Sequence, residues 1–363
     1  MPLRIWVDAL VLESEAAGIG QYIRSLFETY CVLYPDDRVT GIFQPGVRIA
    51  GVSAQTVPAA MGSVRRLWYE QWALAARIRP AQFDVIHFPD YQVPLLRRVA
   101  HTVMTVHDLA AFVMPGVFPR AKTATKRFLM RKSVQTCDQI IVPSQATKRD
   151  LVNILSVPPE KIHVVPHGVR RTGAPFAQPL FAAPYFLAVG TVEPRKNFSG
   201  LIRAYHLLCQ RRQDVPDLVI AGRLGWMYDE TLELPEKLGV AERVKFLQYV
   251  SEDTLATLYR DAVGFVYPSF YEGFGLPVIE AMQVKIPVVT SSAGALGELG
   301  GEFLWRVDPN DIDSIAEQMA RVLNGGPEVQ SRCEGAREWA NRLTWEAAAK
   351  KTRDVYEKAA LGG

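Results

Sequence analysis

Long apolar runs are missing from this chain of 363 residues, and no stretch approaches the roughly 18 residues of a membrane-spanning helix. The opening Met-Pro-Leu-Arg-Ile-Trp-Val-Asp enters a strand pattern at once, without the charged and apolar regions of an export signal, so a cytoplasmic location is expected. Cysteine is scarce. Cys31, Cys137, Cys209 and Cys333 lie far apart, with no CxxC and no Cys/His cluster, which excludes a disulfide framework and a zinc site. Gly18-Ile-Gly20 lacks the third glycine of a dinucleotide fingerprint and has no acid at a strand end about 20 residues on, which argues against nicotinamide chemistry. No recognised nucleic-acid module accompanies the basic runs, and there is no internal repeat or low-complexity tract.

The composition that remains, 48% hydrophobic with both charge signs, is that of a globular protein too long for one ordinary core. Two domains are expected, at 1–171 and 172–343, with Pro, Gly and Ala collecting between Pro166 and Pro184 as in a linker. Charge divides the same way. Residues 1–172 hold 21 Lys and Arg against 13 Asp and Glu, a balance of +8, whereas the rest hold 20 against 25, a balance of −5. An anionic partner is therefore expected on the first half.

Short apolar runs bounded by turn residues recur at Leu3–Val7, Val39–Phe43, Asp84–Phe88, Thr102–Val106, Asp138–Val142 and Lys161–Val165. A second series follows at Tyr185–Val189, Leu218–Arg223, Val244–Tyr249, Ala262–Tyr267 and Ile286–Thr290. Strands buried on both faces read this way, and alternation with helical segments predicts two Rossmann-like α/β units with parallel sheets. Ligands of such sheets sit beyond the carboxyl ends of the strands, which selects His107, Arg195, Lys196, Gly222 and Arg223.

Residues 267–290 carry the densest chemistry. Gly273 and Gly275 bare the backbone, Pro277 suits the start of a helix, and the N–H groups of Phe274, Gly275 and Leu276 make a seat for a phosphate at the positive end of that helix. Glu272 and Glu280 bracket the seat. Arg195 and Lys196, in Glu193-Pro-Arg-Lys-Asn197, supply a guanidinium fork and a compact ammonium suited to a diphosphate. A nucleotide sugar has the matching layout of base and ribose, diphosphate, and sugar.

This stretch and the Glu-Pro-Arg-Lys-Asn string resemble the Glu-x7-Glu element and basic loop of the retaining GT-B glycosyltransferases of family 4, which include bacterial mannosyltransferases; the resemblance covers nearly the whole chain. It implies Glu280 on the ribose hydroxyls, Glu272 on the transferred sugar, His107 reaching that sugar, and Gly20 near the donor phosphate or the acceptor. It also implies a nucleobase near Tyr249, although Gln248 stands where the family more often has glycine. A terminal helix, 344–363, is implied to cross back to the first domain. The activity implied is hexosyl transfer with retention, mannose from GDP-mannose being the best match, to a glycan acceptor linked to polyprenyl diphosphate, in polysaccharide or O-antigen synthesis. Neither cofactor nor divalent metal is expected. A nucleotide-sugar epimerase of the same fold and a non-catalytic nucleotide-sugar-binding protein are the alternatives.

Asp311-Ile-Asp313 looks like a metal-binding DxD, but Pro309-Asn310 before it and the amphipathic run after it mark a helix cap. Gly62–Arg79, with Arg65, Arg66, Trp68, Tyr69, Trp72 and Arg77, and Arg120–Gln135, with six cations and no acid, are expected as helices. Together they suggest peripheral contact with an anionic membrane, at the inner face.

Overall fold

The computed structural model describes the chain apart from residues 13–17, 60, 75–77, 79, 96–100, 119, 170–173, 175, 177 and 363. It divides into Met1–Gly168 with Leu343–Gly363, and Val169–Arg342.

The first unit is a seven-stranded sheet: β1 (Arg4–Asp8), β2 (Arg38–Phe43), β3 (Ser53–Thr56), β4 (Val85–Phe88), β5 (Thr102–Thr105), β6 (Gln139–Val142) and β7 (Ile162–Val164). All pairings are parallel, in the order β3-β2-β1-β4-β5-β6-β7. Every residue of β4, β5 and β6 is buried, as in strands covered on both faces, the polar His87, Thr102, Thr105 and Gln139 included. β3, Ser-Ala-Gln-Thr, is exposed throughout and polar, so periodicity gives no sign of it; it forms by pairing with β2 at the sheet edge.

The helix Trp345–Ala360 belongs to this unit. Thr344 caps it by accepting a hydrogen bond from the N–H of Ala347 at 3.1 Å, and it buries Trp345, Ala348, Ala349, Thr352, Val355, Tyr356 and Ala359 in the core built on Ile5, Phe27 and Val103. Tyr356 meets His87 Nδ1 at 2.7 Å, and His87 Nε2 meets Thr105 Oγ1 at 2.8 Å. Burial pushes the His87 imidazole down to about 3, so it is neutral there. Gly168 is required beside this helix: a Cβ on it would lie 2.3 Å from the Trp345 nitrogen.

Ser63–Trp68 is helical and continues as a π-helical segment, Tyr69–Leu74, while 75–77 and 79, with the expected helix end and Arg77, lie outside the described residues. Arg120–Thr136 is a helix, with nothing described for the side chains of 120–122. The Pro/Gly/Ala segment also falls partly outside, at 170–173, 175 and 177.

The second unit is a six-stranded parallel sheet: β8 (Tyr185–Val189), β9 (Asp217–Ala221), β10 (Val244–Gln248), β11 (Gly264–Tyr267), β12 (Val288–Ser291) and β13 (Trp305–Val307), ordered β10-β9-β8-β11-β12-β13. The helix Ile312–Leu323 turns Ile315, Ala316, Met319 and Val322 inward, each larger side chain contributing about 1.5–3 kcal/mol by burial. Asp311 caps this helix, accepting from the N–H of Ser314 at 3.0 Å, which is the role its neighbours in sequence indicate. Helix Pro327–Ala340 has a weak apolar stripe and is not legible from periodicity.

Candidate active site

In the second unit the strand order reverses between β8 and β11, and the loops that leave these two strands carry the basic pair and the glycine turn. Asn197 fixes the first loop. It adopts a left-handed conformation (φ 57°), caps helix Phe198–Arg211 by accepting from the N–H of Gly200 at 3.2 Å, and donates from Nδ2 to Pro268 O (3.1 Å) and Pro309 O (2.7 Å). Arg195 O in turn accepts from the N–H of Phe270 at 2.9 Å and from Ser269 Oγ at 3.0 Å. The loops are thereby stapled backbone to backbone.

Glu272 is the hub. Its Oε1 accepts from Lys196 Nζ at 2.7 Å, Ser269 Oγ at 2.7 Å and the Tyr267 hydroxyl at 3.0 Å, and its Oε2 accepts from Arg195 Nη1 at 2.5 Å. Arg195 also donates from Nε to Glu193 Oε1 at 2.8 Å and from Nη1 to Tyr271 O at 3.0 Å, while Lys196 donates to the Tyr267 hydroxyl. The cluster is nearly closed to water: the side chains of Glu272, Lys196 and Arg195 are 9%, 10% and 14% exposed. Burial by itself would raise the Glu272 carboxyl. Arg195 and Lys196, with hydrogen bonds from Lys196 and Ser269, outweigh it and hold the group down at about 2. Burial lowers the Lys196 ammonium and raises Glu193.

Helix Leu276–Gln283 follows, with Gly275 as its cap at φ 106° and Pro277 as its second residue. A Cβ at Gly275 would stand 2.6 Å from Leu296 Cδ2, so space as well as conformation calls for glycine. Of the first residues of this helix, Val278 and Ile279 donate to Gly275 O at 3.0 and 3.4 Å and Pro277 has no N–H, which leaves the N–H of Leu276 at its positive end, with Gly273, Phe274 and Gly275 buried just before it. Glu280 lies one turn on, its Oε2 accepting from the Tyr259 hydroxyl at 2.9 Å; burial raises its carboxyl against that hydrogen bond. Gly222 ends β9 against Gly190, where a Cβ would meet Gly190 O at 1.9 Å, and a Cβ on Gly190 would touch Lys196 Cε at 3.4 Å. Arg223 and Tyr249 form an exposed cation–π pair at 4.5 Å at the ends of β9 and β10.

The structure thus brings together Arg195, Lys196, Glu272, the 273–276 turn and Gly222, and sets Arg223 and Tyr249 as a separate pair. Glu272, read from sequence as a contact to the sugar, already accepts four hydrogen bonds from protein donors, three on Oε1 and one on Oε2. Sequence reading passed over Glu193, Tyr267 and Ser269, which lie inside or next to the two motifs. It also passed over Gly294 (φ 58°), whose Cβ would meet Glu272 O at 2.7 Å and which the motif spacing does not mark.

His107 and Gly20 belong to the first unit. His107 Nε2 lies 2.9 Å from Pro89 O, an acceptor only, so the proton is on Nε2 and Nδ1 accepts from His167 Nε2 at 3.4 Å. Burial lowers His107 below its ordinary value. Gly20 is buried in the first turn of helix Ile19–Leu33. Arg66, expected on a basic face, instead pairs with the buried Glu70 at 3.3 Å, and Arg127 and Arg131 lie over the Phe112 ring at 5.2 and 5.7 Å. Among the described residues no group of three or more His, Cys, Asp or Glu side chains is placed to hold a metal ion, and no helix is long and apolar enough to cross a membrane.

Two Rossmann-like units, the second with a basic pair and a glycine turn at its switch point, define a GT-B protein. Residues 178–339 match the family described as glycosyl transferases group 1, and residues 30–172 match Glycosyltransferase Family 4. The chain is 29% identical over 299 residues to O-antigen chain mannosyltransferase B of Escherichia coli, covering 79% of this chain and 77% of that one. Among solved structures it superposes on sucrose-phosphate synthase of Thermosynechococcus elongatus with a TM-score of 0.80 at 20% identity, over 99% and 100% of the two chains. Anabaena HepE, solved in complex with UDP and glucose, gives 0.73 at 16% identity, over 98% and 100%. The chain belongs to the GT-B glycosyltransferases of family 4 and is a glycosyltransferase.

Proposed function

We propose that this glycosyltransferase moves mannose from GDP-mannose, with retention, onto a glycan acceptor linked to polyprenyl diphosphate, in bacterial polysaccharide or O-antigen synthesis. The carrying observation is the buried Arg195–Lys196–Glu272 cluster beside the Gly275 turn. Departure of a nucleoside diphosphate builds negative charge on phosphate oxygens. Arg195, Lys196 and the N–H groups at the helix start meet that charge electrostatically, with no divalent metal required. Glu280 takes the ribose hydroxyls. The choice of mannose leans on the E. coli relative named above; the UDP of the HepE complex shares the diphosphate of GDP but not its base. With no obvious nucleophile for a double displacement, acceptor attack on the face the diphosphate leaves is the reading adopted, a phosphate oxygen taking the acceptor proton.

The acceptor's lipid places the reaction at the cytoplasmic face of a membrane. A specific surface favours this: Trp68, Trp72 and Phe128, each about 60% exposed, line one apolar groove on the first unit, and Trp68 and Trp72 stack at 6.2 Å. Arg65 and Lys132 are exposed on the same two helices. Interfacial aromatics with cations suit an anionic lipid surface.

The test is release of GDP from GDP-mannose with and without a polyprenyl-diphosphate-linked glycan, run beside UDP-sugars and with chelator, with the product anomer read by NMR. Acceptor-dependent release that survives chelation and gives the α-anomer is expected. Release without transfer, dependence on metal, or an inverted product would overturn the corresponding part of the reading.

A further inference from the structure

We infer that Arg306 is a positioning residue for the glycine turn: its guanidinium clamps the segment 291–299 against the backbone of Glu272 and Gly275, and so keeps the turn in the shape that seats a donor diphosphate. That the turn seats a diphosphate rests on the donor reading; that Arg306 fixes its shape does not.

Strand geometry places the cation. β13 is Trp305-Arg306-Val307, and Trp305 and Val307 turn into the core of the second unit, so Arg306 leaves the opposite face of the sheet beside its partner Thr290 of β12. There it meets main chain. Nη1 donates to Leu296 O at 2.7 Å and to Ser291 O at 3.3 Å, and Nη2 donates to Leu299 O. Leu296 lies in the short 3₁₀ helix Gly294–Glu298 and Leu299 follows it, so the fork closes the carbonyl end of that helix, where a cation is favoured. Burial lowers the Arg306 guanidinium, with no carboxylate among the described residues to offset it. Its charge is answered by these carbonyls, and charge-assisted bonds of this kind are the strong ones.

The clamped segment is the back wall of the turn. The Ala295 N–H donates to Glu272 O at 3.0 Å, and Leu296 Cδ2 and Leu299 Cδ1 stand 2.6 and 3.0 Å from where a Cβ on Gly275 would lie. At the other end of the segment Ser291 Oγ donates to Ser269 O at 2.6 Å, and Ser269 is one of the donors that hold Glu272. Ala295, Leu296 and Leu299 are buried, so nothing but this packing separates the wall from the turn. A wall fixed at Ser291, Leu296 and Leu299 by one planar fork cannot withdraw without breaking all three bonds. Lysine, a single ammonium on a flexible stem, does not copy the fork.

The experiment uses the full chain. Wild type, Arg306→Met and Arg306→Lys are compared by hydrogen–deuterium exchange, without ligand, of peptides over 272–283, over β8 and over β9, and by calorimetric GDP affinity. In Arg306→Met exchange over 272–283 is expected to rise about tenfold with β8 and β9 unchanged, and GDP affinity to fall about tenfold, with Arg306→Lys between it and the wild type. Exchange over 272–283 that stays at the wild-type rate, or that rises equally over β8 and β9, would overturn the inference, because a residue that only stabilised the sheet loosens the whole unit. Wild-type GDP affinity beside a loosened turn would overturn it as well. If the wild type itself binds no GDP, the donor reading falls and the exchange pattern alone judges Arg306. Should Arg306→Met melt without cooperativity, Arg306→Lys is judged by the same two readouts.

Discussion

Replacing Glu272 by Gln removes one negative charge from a site where four donors converge at 2.5–3.0 Å. An amide of the same shape keeps one carbonyl oxygen for Lys196, Tyr267 and Ser269, and turns an NH₂ toward Arg195, donor against donor. Two routes give the size of the loss. Breaking a buried ion pair by removing one partner costs about 3–5 kcal/mol. Independently, a carboxyl held at about 2 against an ordinary 4.5 corresponds to about 3 kcal/mol. Lys196 works the other way, since burial lowers its ammonium, so the lower figure is the better expectation for the net effect. For a unit of this size about 3 kcal/mol is a fall of roughly 6–12 °C in the melting midpoint. The sign in pH follows from the depressed carboxyl: its contribution is fully present above the unfolded value near 4.5 and is lost as pH falls through about 2. Wild type and Glu272→Gln should therefore differ most at neutral pH and converge toward pH 2, followed by chemical denaturation at each pH. GDP or inorganic pyrophosphate should narrow the gap at pH 7, because the ligand's charge replaces the missing carboxylate beside Arg195 and Lys196. A gap under about 1 kcal/mol at pH 7, or one that GDP widens, would refute the assignment of this cluster as a charge-balanced diphosphate seat.

Lys196→Ala should lower turnover by orders of magnitude with the fold intact, read as kcat at saturating GDP-mannose; near-wild-type kcat would remove Lys196 from the mechanism. Gly222→Ala should destabilise the second unit by roughly 3 kcal/mol or prevent its folding, since the new Cβ meets the backbone oxygen of Gly190 rather than a side chain that can turn. Gln248→Gly should stabilise the protein by up to about 1 kcal/mol in urea titration, because Gln248 sits at φ 56° where glycine has no steric penalty. Trp68→Ala with Trp72→Ala should abolish co-sedimentation with vesicles of anionic phospholipid while leaving the melting midpoint within a degree or two, both side chains being about 60% exposed.

The strands came through in the sequence because a strand covered on both faces is mostly apolar, so β5, β6, β11 and β12 are short runs of Val, Ile, Met, Phe and Tyr with Thr, Gln, Gly or Ser only at their ends. β3 was not legible because an exposed edge strand of Ser, Ala, Gln and Thr is specified by its neighbour and not by its own side chains. The same division holds at the site. Glycine, proline and charge at fixed spacing announced the 267–290 turn and the basic pair, since backbone conformation and charge are local properties. The bonding among Glu272, Arg195, Lys196, Tyr267 and Ser269 was not announced, because it joins loops more than 70 residues apart and depends on Asn197 pinning one to the other. Gln248 shows the reverse: the departure from glycine was visible in the sequence, and its cost, a left-handed backbone whose carbonyl accepts from the Gly222 N–H at 2.7 Å, only in the structure.

Oε1 of Glu272 accepts from three protein donors and Oε2 from Arg195 alone, so most of its accepting capacity is committed inside the protein. Glu272 therefore acts first as the tether that keeps a guanidinium and a desolvated ammonium side by side, a pairing that like charge would otherwise drive apart. In the proposed mechanism the oxygens of a diphosphate share those cations and weaken their hold on Glu272. Holding the cations in advance removes the reorganisation that a flexible basic loop would need as charge develops on the leaving group. The glycine turn follows the same logic: its N–H groups are aimed by backbone geometry at φ 106°, not by a side chain that must be ordered at the moment of reaction. On this argument Glu272→Gln loses stability and sugar recognition together, whereas Glu280→Gln, whose group is bonded only to Tyr259 among the contacts described above, loses nucleoside affinity with little change in the melting midpoint.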